Sequence, residues 1–228
     1  MNWFSKFLKS SIGSKLLMSL TGLFLIIFLV VHLAGNLQLL VDDGGEKFNM
    51  YTKFMTSNPV IKTISYLLYT FILLHAIQGI SLWRRNRAAR GPVGYAVKTT
   101  ANSGFASRNM GWLGVIILIF IVLHMWQFWF QMKTGGVQMV TYDSVTVKDL
   151  YTPVQEAFTT WYYVVIYVIS MGVVGFHLWH GFESSFQTLG LNHVKYNPII
   201  RFVGRAYSVI VSLGFAIIPV YFFFTNQA

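Results

Sequence analysis

Five apolar runs punctuate the chain, each long enough to cross the roughly 30 Å hydrocarbon layer of a bilayer. They are Leu16–Leu40, Val60–Trp83, Met110–Met132, Ala157–His180 and Ile199–Phe224. A single polypeptide segment in lipid must satisfy its own backbone hydrogen bonds, so each run is read as a helix. The expected fold is an all-α integral membrane bundle of five transmembrane helices. With 55% hydrophobic and only 11% charged residues, the composition exceeds what a soluble core of this size needs. Lys6, Lys9 and Lys15 before the first run imitate a signal peptide, but the run is too long and no A-x-A cleavage site follows, so it is kept as a helix. No linker or low-complexity stretch divides the chain, and residues 1–228 read as one membrane domain.

Charge sets the expected orientation. The net charge of +10 does not point to nucleic acid, because the basic residues cluster in short segments beside the apolar runs. Lys6, Lys9 and Lys15, then Arg84, Arg85, Arg87, Arg90, Lys98 and Arg108, then Lys195, Arg201 and Arg205 fall on one side, which the positive-inside rule makes cytoplasmic. Asp42, Asp43, Glu46, Asp143, Asp149 and Glu156 fall on the other. The N-terminus is therefore expected in the cytoplasm and the C-terminus outside. Trp83, Trp112, Trp129, Trp161 and Trp179 lie near the expected helix ends, as an interfacial aromatic belt does. The segment RRNRAARGPVGYAVKTTANSGFASRNMG reads as a cytoplasmic loop ending in a helix cap near Ser107 or Asn109, and it offers a surface for a soluble partner.

The chain has no cysteine, which excludes disulfides, thiolate-bound iron–sulfur clusters and covalent CxxCH haem, so metal chemistry has to rest on histidine. Five of the six histidines lie in apolar runs: His32, His75 and His124 on the first three, His177 and His180 on the fourth. An ionisable ring inside a membrane helix is costly and tends to be functional. At about 1.5 Å per residue, His32 and His124 lie roughly 20 to 24 Å from the cytoplasmic end, and His75 and His177 roughly 9 to 12 Å from it. Two pairs at two depths suit two b-type haems, each held without covalent attachment by one imidazole on each face. With both axial positions filled, such a haem transfers electrons rather than binding oxygen.

Glycines accompany the pattern. His75 and Gly79 share an H-x3-G spacing with His177 and Gly181, while Gly22 and Gly114 each stand ten residues before His32 and His124. Residues without side chains allow a flat ligand close to the backbone, although small residues also ease helix contact. His177 repeats the His75 spacing and is assigned as the ligand. His180 lies near the interface as a donor to a haem propionate or a solvated helix end, and His193 reads as a surface residue.

The order TGLFLIIFLVVHLAGN, LLHAIQG, IVLHMWQFW and GFHLWHGFESSFQTLG resembles the five-helix, di-haem cytochrome b anchor subunit of bacterial succinate dehydrogenase and fumarate reductase, from about Ser14 to about Pro219. The resemblance implies that His32 and His124 hold the outer haem, and His75 and His177 the inner one. It further implies a flavoprotein partner carrying FAD, an iron–sulfur partner at the cytoplasmic face, and a quinone, usually menaquinone, near the outer haem. The implied location is the bacterial cytoplasmic membrane, with surrounding lipid, no nucleic acid, and room for a dimer of the complex. Asn36, Gln38, Glu46 and Gln127 are the outer-end candidates for quinone contact. Two other readings stand beside it. One is a di-haem anchor of a formate dehydrogenase or hydrogenase type. The other is a histidine-containing transporter, which should show a repeat or a broken helix; no clear duplication is evident.

Overall fold

A computed structural model describes residues 2, 3, 6, 7, 10–91 and 104–226. Lys9 and residues 92–103 of the basic loop, Lys98 among them, lie outside these residues. Five helices are long and apolar enough to cross a membrane. They are α1 (Ser11–Asn36), which runs on through a 3-10 turn at Leu37–Leu40, then α3 (Pro59–Arg90), α4 (Phe105–Thr134), α6 (Trp161–Thr188) and α7 (Asn197–Thr225). Two shorter helices, α2 (Glu46–Ser57) and α5 (Tyr151–Ala157), and a hairpin of β1 (Met139–Tyr142) with β2 (Val145–Lys148) lie between the spans.

Side-chain caps extend two of the spanning helices, α1 and α3, beyond their apolar windows. Ser10 accepts a hydrogen bond from the Gly13 amide at 3.0 Å, which starts α1 five residues before the apolar run. Asn58 accepts from Val60 and Ile61 with Pro59 at the first helical position, so α3 begins directly after α2. At its far end α3 continues through Arg87 and Arg90, whose charges suit the negative helix terminus, and stops at Gly91 with φ 75°. Four arginines expected in a loop are thus helical. The cap expected at Ser107 or Asn109 is instead Gly104, and the Asn109 amide donates to the Phe105 carbonyl one turn back. Ala157, expected to open the fourth span, closes α5, and α6 starts at Trp161.

Four spans close into a ring: α1 packs on α3 and α6, and α4 packs on the same two. Helix α7 lies outside the ring against α6 and α1. Close approach on that side uses small residues. Gly175 faces Ser212, Gly204 faces the Phe182 ring, and Tyr207 donates to the Ile26 carbonyl at 2.6 Å.

The end that carries α2, α5 and the hairpin is closed by packing rather than left as loops. Leu39, Phe48, Val154, Phe158, Val164, Tyr167, Ile218 and Phe222 form one buried cluster joining the 3-10 turn, α2, α5, α6 and α7. Asn49, with no exposed surface, ties this cap together. Its Oδ1 accepts from the Leu150 and Tyr151 amides, and its Nδ2 donates to Tyr142 and Asp149. Burial alone would raise the Asp149 carboxyl, but hydrogen bonds from Thr152, Asn49 and Tyr151 outweigh it and hold the group below the ordinary carboxylate range. A depressed acid stabilises the cap above its unfolded value, and that contribution is lost as pH falls through the folded one. Asn49→Ala orphans the part-buried Leu150 amide and leaves the Tyr151 amide only its bond to Asp149, and is expected to cost the cap roughly 1 to 3 kcal/mol. Limited proteolysis should then cut the 139–148 hairpin faster in the variant, while the spans stay protected; equal cutting rates would contradict this role.

Candidate functional site: two histidine pairs across the helix ring

The ring brings four histidines together along its two diagonals. His32 on α1 meets His124 on α4 with ring centroids 5.9 Å apart and planes at 83°. His75 on α3 meets His177 on α6 at 6.3 Å and 70°. The levels follow from Gly22, ten residues before His32 in α1. A Cβ added there would lie 3.2 Å from His75 Cε1, so the second pair sits roughly 15 Å below the first.

Helical spacing builds different walls around the two pairs. At the His32–His124 pair, Phe28 stacks on His32 and Phe120 on His124, each one turn earlier on the same helix, with Phe128 and Phe215 alongside. At the His75–His177 pair the facing positions are bare: Gly22 looks at the His75 ring and Gly114 at the His177 ring. Gly79 and Gly181 play another part, because the methyl ends of Met18 and Met110 reach over them at 3.3 and 3.6 Å from a Cβ position.

Hydrogen bonds fix the ring tautomers at two positions. Thr21 donates its hydroxyl to the Leu17 and Met18 carbonyls, so its oxygen, 3.1 Å from His75 Nδ1, is left to accept the ring N–H. Tyr167 donates to Gln127 Oε1 at 2.6 Å, so its oxygen, 3.4 Å from His124 Nδ1, is likewise left to accept. Both arrangements put the proton on Nδ1 and the lone pair on Nε2. The Asn36 amide donates to the His32 carbonyl at 2.7 Å and lies 3.3 Å from His32 Nδ1. His177 Nδ1 is buried without a partner among the described residues, an unusual state for a polar atom in a packed bundle.

Of the polar candidates, Asn36 reaches His32 directly, and Gln127 reaches His124 only through the Tyr167 hydroxyl. Gln38 sits half-buried in the 3-10 turn and Glu46 is exposed at the start of α2, and neither side chain makes a hydrogen bond among the described residues. His180 is half-buried one turn beyond His177 and joins neither ring pair. Near that end Arg201 bridges Glu183 at 2.7 Å and Arg205 lies over the Trp179 ring. Sequence reasoning missed Thr21 and Tyr167. Thr21 stands one residue before Gly22, and Tyr167 ten residues before His177 on the same span, so the signal was a polar atom in an apolar run.

Pairs of histidines suit a metal group that brings most of its own ligands. Among the described residues no cluster of three or more His, Cys, Asp or Glu could hold a bare ion. In a bis-imidazole haem each nitrogen lies about 2 Å from iron and about 1 Å from its ring centre, which sets the two centroids about 6 Å apart. Both observed separations meet that requirement. No protein-family model matches the chain, and comparison with curated proteins and with solved structures finds no match.

Proposed function

We propose that this chain is the membrane-anchor cytochrome b subunit of a bacterial succinate:quinone oxidoreductase, a succinate dehydrogenase or fumarate reductase. His32 and His124 would hold the outer b haem, and His75 and His177 the inner one. Bound haem supplies a reversible one-electron couple, and two of them give a path between an iron–sulfur partner at the cytoplasmic face and a quinone, menaquinone in this reading, near the outer face. Succinate and fumarate would react on a flavoprotein subunit. The observation that carries the reading is the pair of diagonal histidine contacts, each at iron-bridging distance and one above the other.

The chain's own contribution is positioning. Thr21 and Tyr167 each accept a ring N–H and so aim an Nε2 lone pair inward, the outer-shell arrangement that raises ligand basicity. Gly22 and Gly114 leave room beside the inner rings. His180, half-buried one turn beyond His177, would be the donor to a propionate of the inner haem. Twelve of the seventeen basic residues fall on the side of the Arg84–Arg90 helix end, and six of the seven acids on the other, which supports a cytoplasmic N-terminus.

The test is optical and compositional. Purified chain should show reduced b-type bands at two haems per polypeptide, and a co-purifying flavoprotein should reduce them with succinate. Colourless protein would overturn the haem assignment. Haem reduced by formate or hydrogen, and not by succinate, would assign the anchor to another oxidoreductase. Orientation is checked separately. A cysteine placed at Thr141 should label from outside intact cells and one at Arg87 should not, and the reverse pattern would invert the topology.

A further inference from the structure

Within each histidine pair only one ring has an acceptor for its Nδ1 proton among the described residues. At His75 the Thr21 oxygen lies 3.1 Å from Nδ1, and the Met18 carbonyl is a second acceptor within reach. His177, across the ring of helices, has its Nδ1 buried with no partner among those residues. At the other level the Tyr167 oxygen serves His124. The group near His32 Nδ1 is the Asn36 amide nitrogen, which is spent on the His32 carbonyl and is itself a donor. A donor cannot take a ring N–H. Each level thus joins one anchored imidazole to one that is not.

At the His75–His177 level the inequality traces to one residue. Thr21 stands on α1 directly before Gly22, the bare position that faces His75. Leu113 stands on α4 directly before Gly114, the bare position that faces His177. Both side chains are buried, so α1 encloses a hydroxyl where α4 encloses a hydrocarbon. A buried hydroxyl is costly unless it is bonded. Thr21 meets that cost with the Leu17 and Met18 carbonyls of its own helix and keeps a lone pair for His75. An unpaired ring nitrogen in the same interior carries a penalty that a hydroxyl could remove, and Leu113 leaves it standing. The consequence is electronic. An acceptor on Nδ1–H gives the imidazole anionic character and makes Nε2 the stronger donor. A stronger donor favours ferric over ferrous iron and lowers the midpoint potential.

We propose that Thr21 and Leu113 together set the potential of the inner haem. Thr21 is the positioning residue that strengthens His75, and Leu113 withholds the same support from His177. The anchoring of His75 stands on the hydrogen bond alone; the tuning rests on the haem reading above.

Redox titration of the full haem-loaded chain tests the tuning in both directions. Thr21→Val keeps the shape and removes the acceptor, so it should retain two haems and raise the inner midpoint potential while the outer one stays in place. Thr21→Ser keeps the hydroxyl and should restore the wild-type value. Leu113→Thr should lower the inner potential, and Leu113→Val, which loses similar volume without gaining a hydroxyl, should not. Loss of the inner haem from Thr21→Val with rescue by Thr21→Ser would also uphold the anchoring. An inner potential unmoved by Thr21→Val would give the ring proton to the Met18 carbonyl and overturn the role of Thr21. Equal potentials in Leu113→Thr and Leu113→Val would overturn that of Leu113. Magnetic resonance of isotope-labelled histidine ring nitrogens reads the hydrogen bond itself, with or without iron. In a chain that binds no haem, an Nδ1–H signal that moves between wild type and Thr21→Val would uphold the anchoring of His75 and sink the haem reading instead. Identical signals would overturn the anchoring as well.

Discussion

His32→Ala and His124→Ala should each yield a chain with one haem, and it should be the same haem. His75→Ala and His177→Ala should yield the complementary single-haem protein. In the haem reading each pair would share one iron; the rings stand 5.9 Å apart at His32–His124 and 6.3 Å apart at His75–His177. The pairs are also too far apart along the helices for a ring to change partners. Removing one axial nitrogen takes away half the protein's hold on a group that is otherwise kept only by packing. Redox titration of the four variants should therefore show two classes, sorted by diagonal and not by sequence order. Loss of the same component from His32→Ala and His75→Ala would break the scheme. His180→Ala provides the internal contrast. It lies on the same helix as His177 yet faces no second imidazole, so that variant should keep both haems and lower the inner potential modestly. One haem in His180→Ala beside two in His177→Ala would reverse the assignment.

Much of this arrangement was legible in the sequence because lipid imposes strong rules. An apolar run of this length must be a helix, and a helix rises by a fixed amount, so the depth of a histidine can be counted from the nearest charged end. The matching of His32 with His124 and of His75 with His177 came from that count, and the structure brings those rings together. What stayed hidden depends on contacts between segments. Helix α2 mixes Glu46, Lys47 and Lys53 with its apolar residues, and it is held by Phe48 and Asn49 packing beneath the hairpin, which no local pattern announces. Tyr167 reads in sequence as one more aromatic in an aromatic-rich span, and only the ring closure of α4 against α6 puts its hydroxyl between Gln127 and His124.

The glycines divide into two kinds that their spacing does not separate. Gly22 and Gly114 lie beside the inner rings, whereas Gly79 and Gly181 receive methionine ends, so the H-x3-G spacing marks helix contact as much as ligand space. The structure also displays a correspondence too sparse to stand out as a duplication in the sequence. Met18, Gly22, Phe28 and His32 on α1 have the same spacing as Met110, Gly114, Phe120 and His124 on α4. In both helices the methionine covers a glycine of the neighbouring span, the glycine faces its histidine, and the phenylalanine stacks one turn below the outer histidine. The two halves of the ring are thus built alike, and the absence of a repeat no longer argues against a transporter. The case against it rests on paired rather than clustered ligands among the described residues.

A large side chain at Gly22 should evict the inner haem, although Gly22 lies on neither of the helices that carry His75 and His177. A Cβ there would come within 3.2 Å of His75 Cε1, closer than ordinary contact, while a Cβ at Gly114 would stand 3.9 Å from His177 Cε1, at van der Waals distance. Two opposed effects decide the alanine variants. Replacing glycine within a helix gains up to about 1 kcal/mol of helix propensity, and overpacking costs about 1 to 3 kcal/mol. Gly114→Ala should therefore be neutral or mildly stabilising with both haems kept, and Gly22→Ala should shift the inner potential through a small displacement of His75. Leucine leaves no such choice. At either position it fills the space beside the inner rings, and Gly22→Leu and Gly114→Leu should each retain the outer haem alone. Gly172, on the same helix as His177 with nothing within 4 Å of its Cβ position, is the control for bulk in an apolar span. Gly172→Leu should keep two haems. If Gly22→Leu and Gly172→Leu both retain two haems with unchanged potentials, then the bare faces serve helix packing, and the inner haem does not lie between His75 and His177.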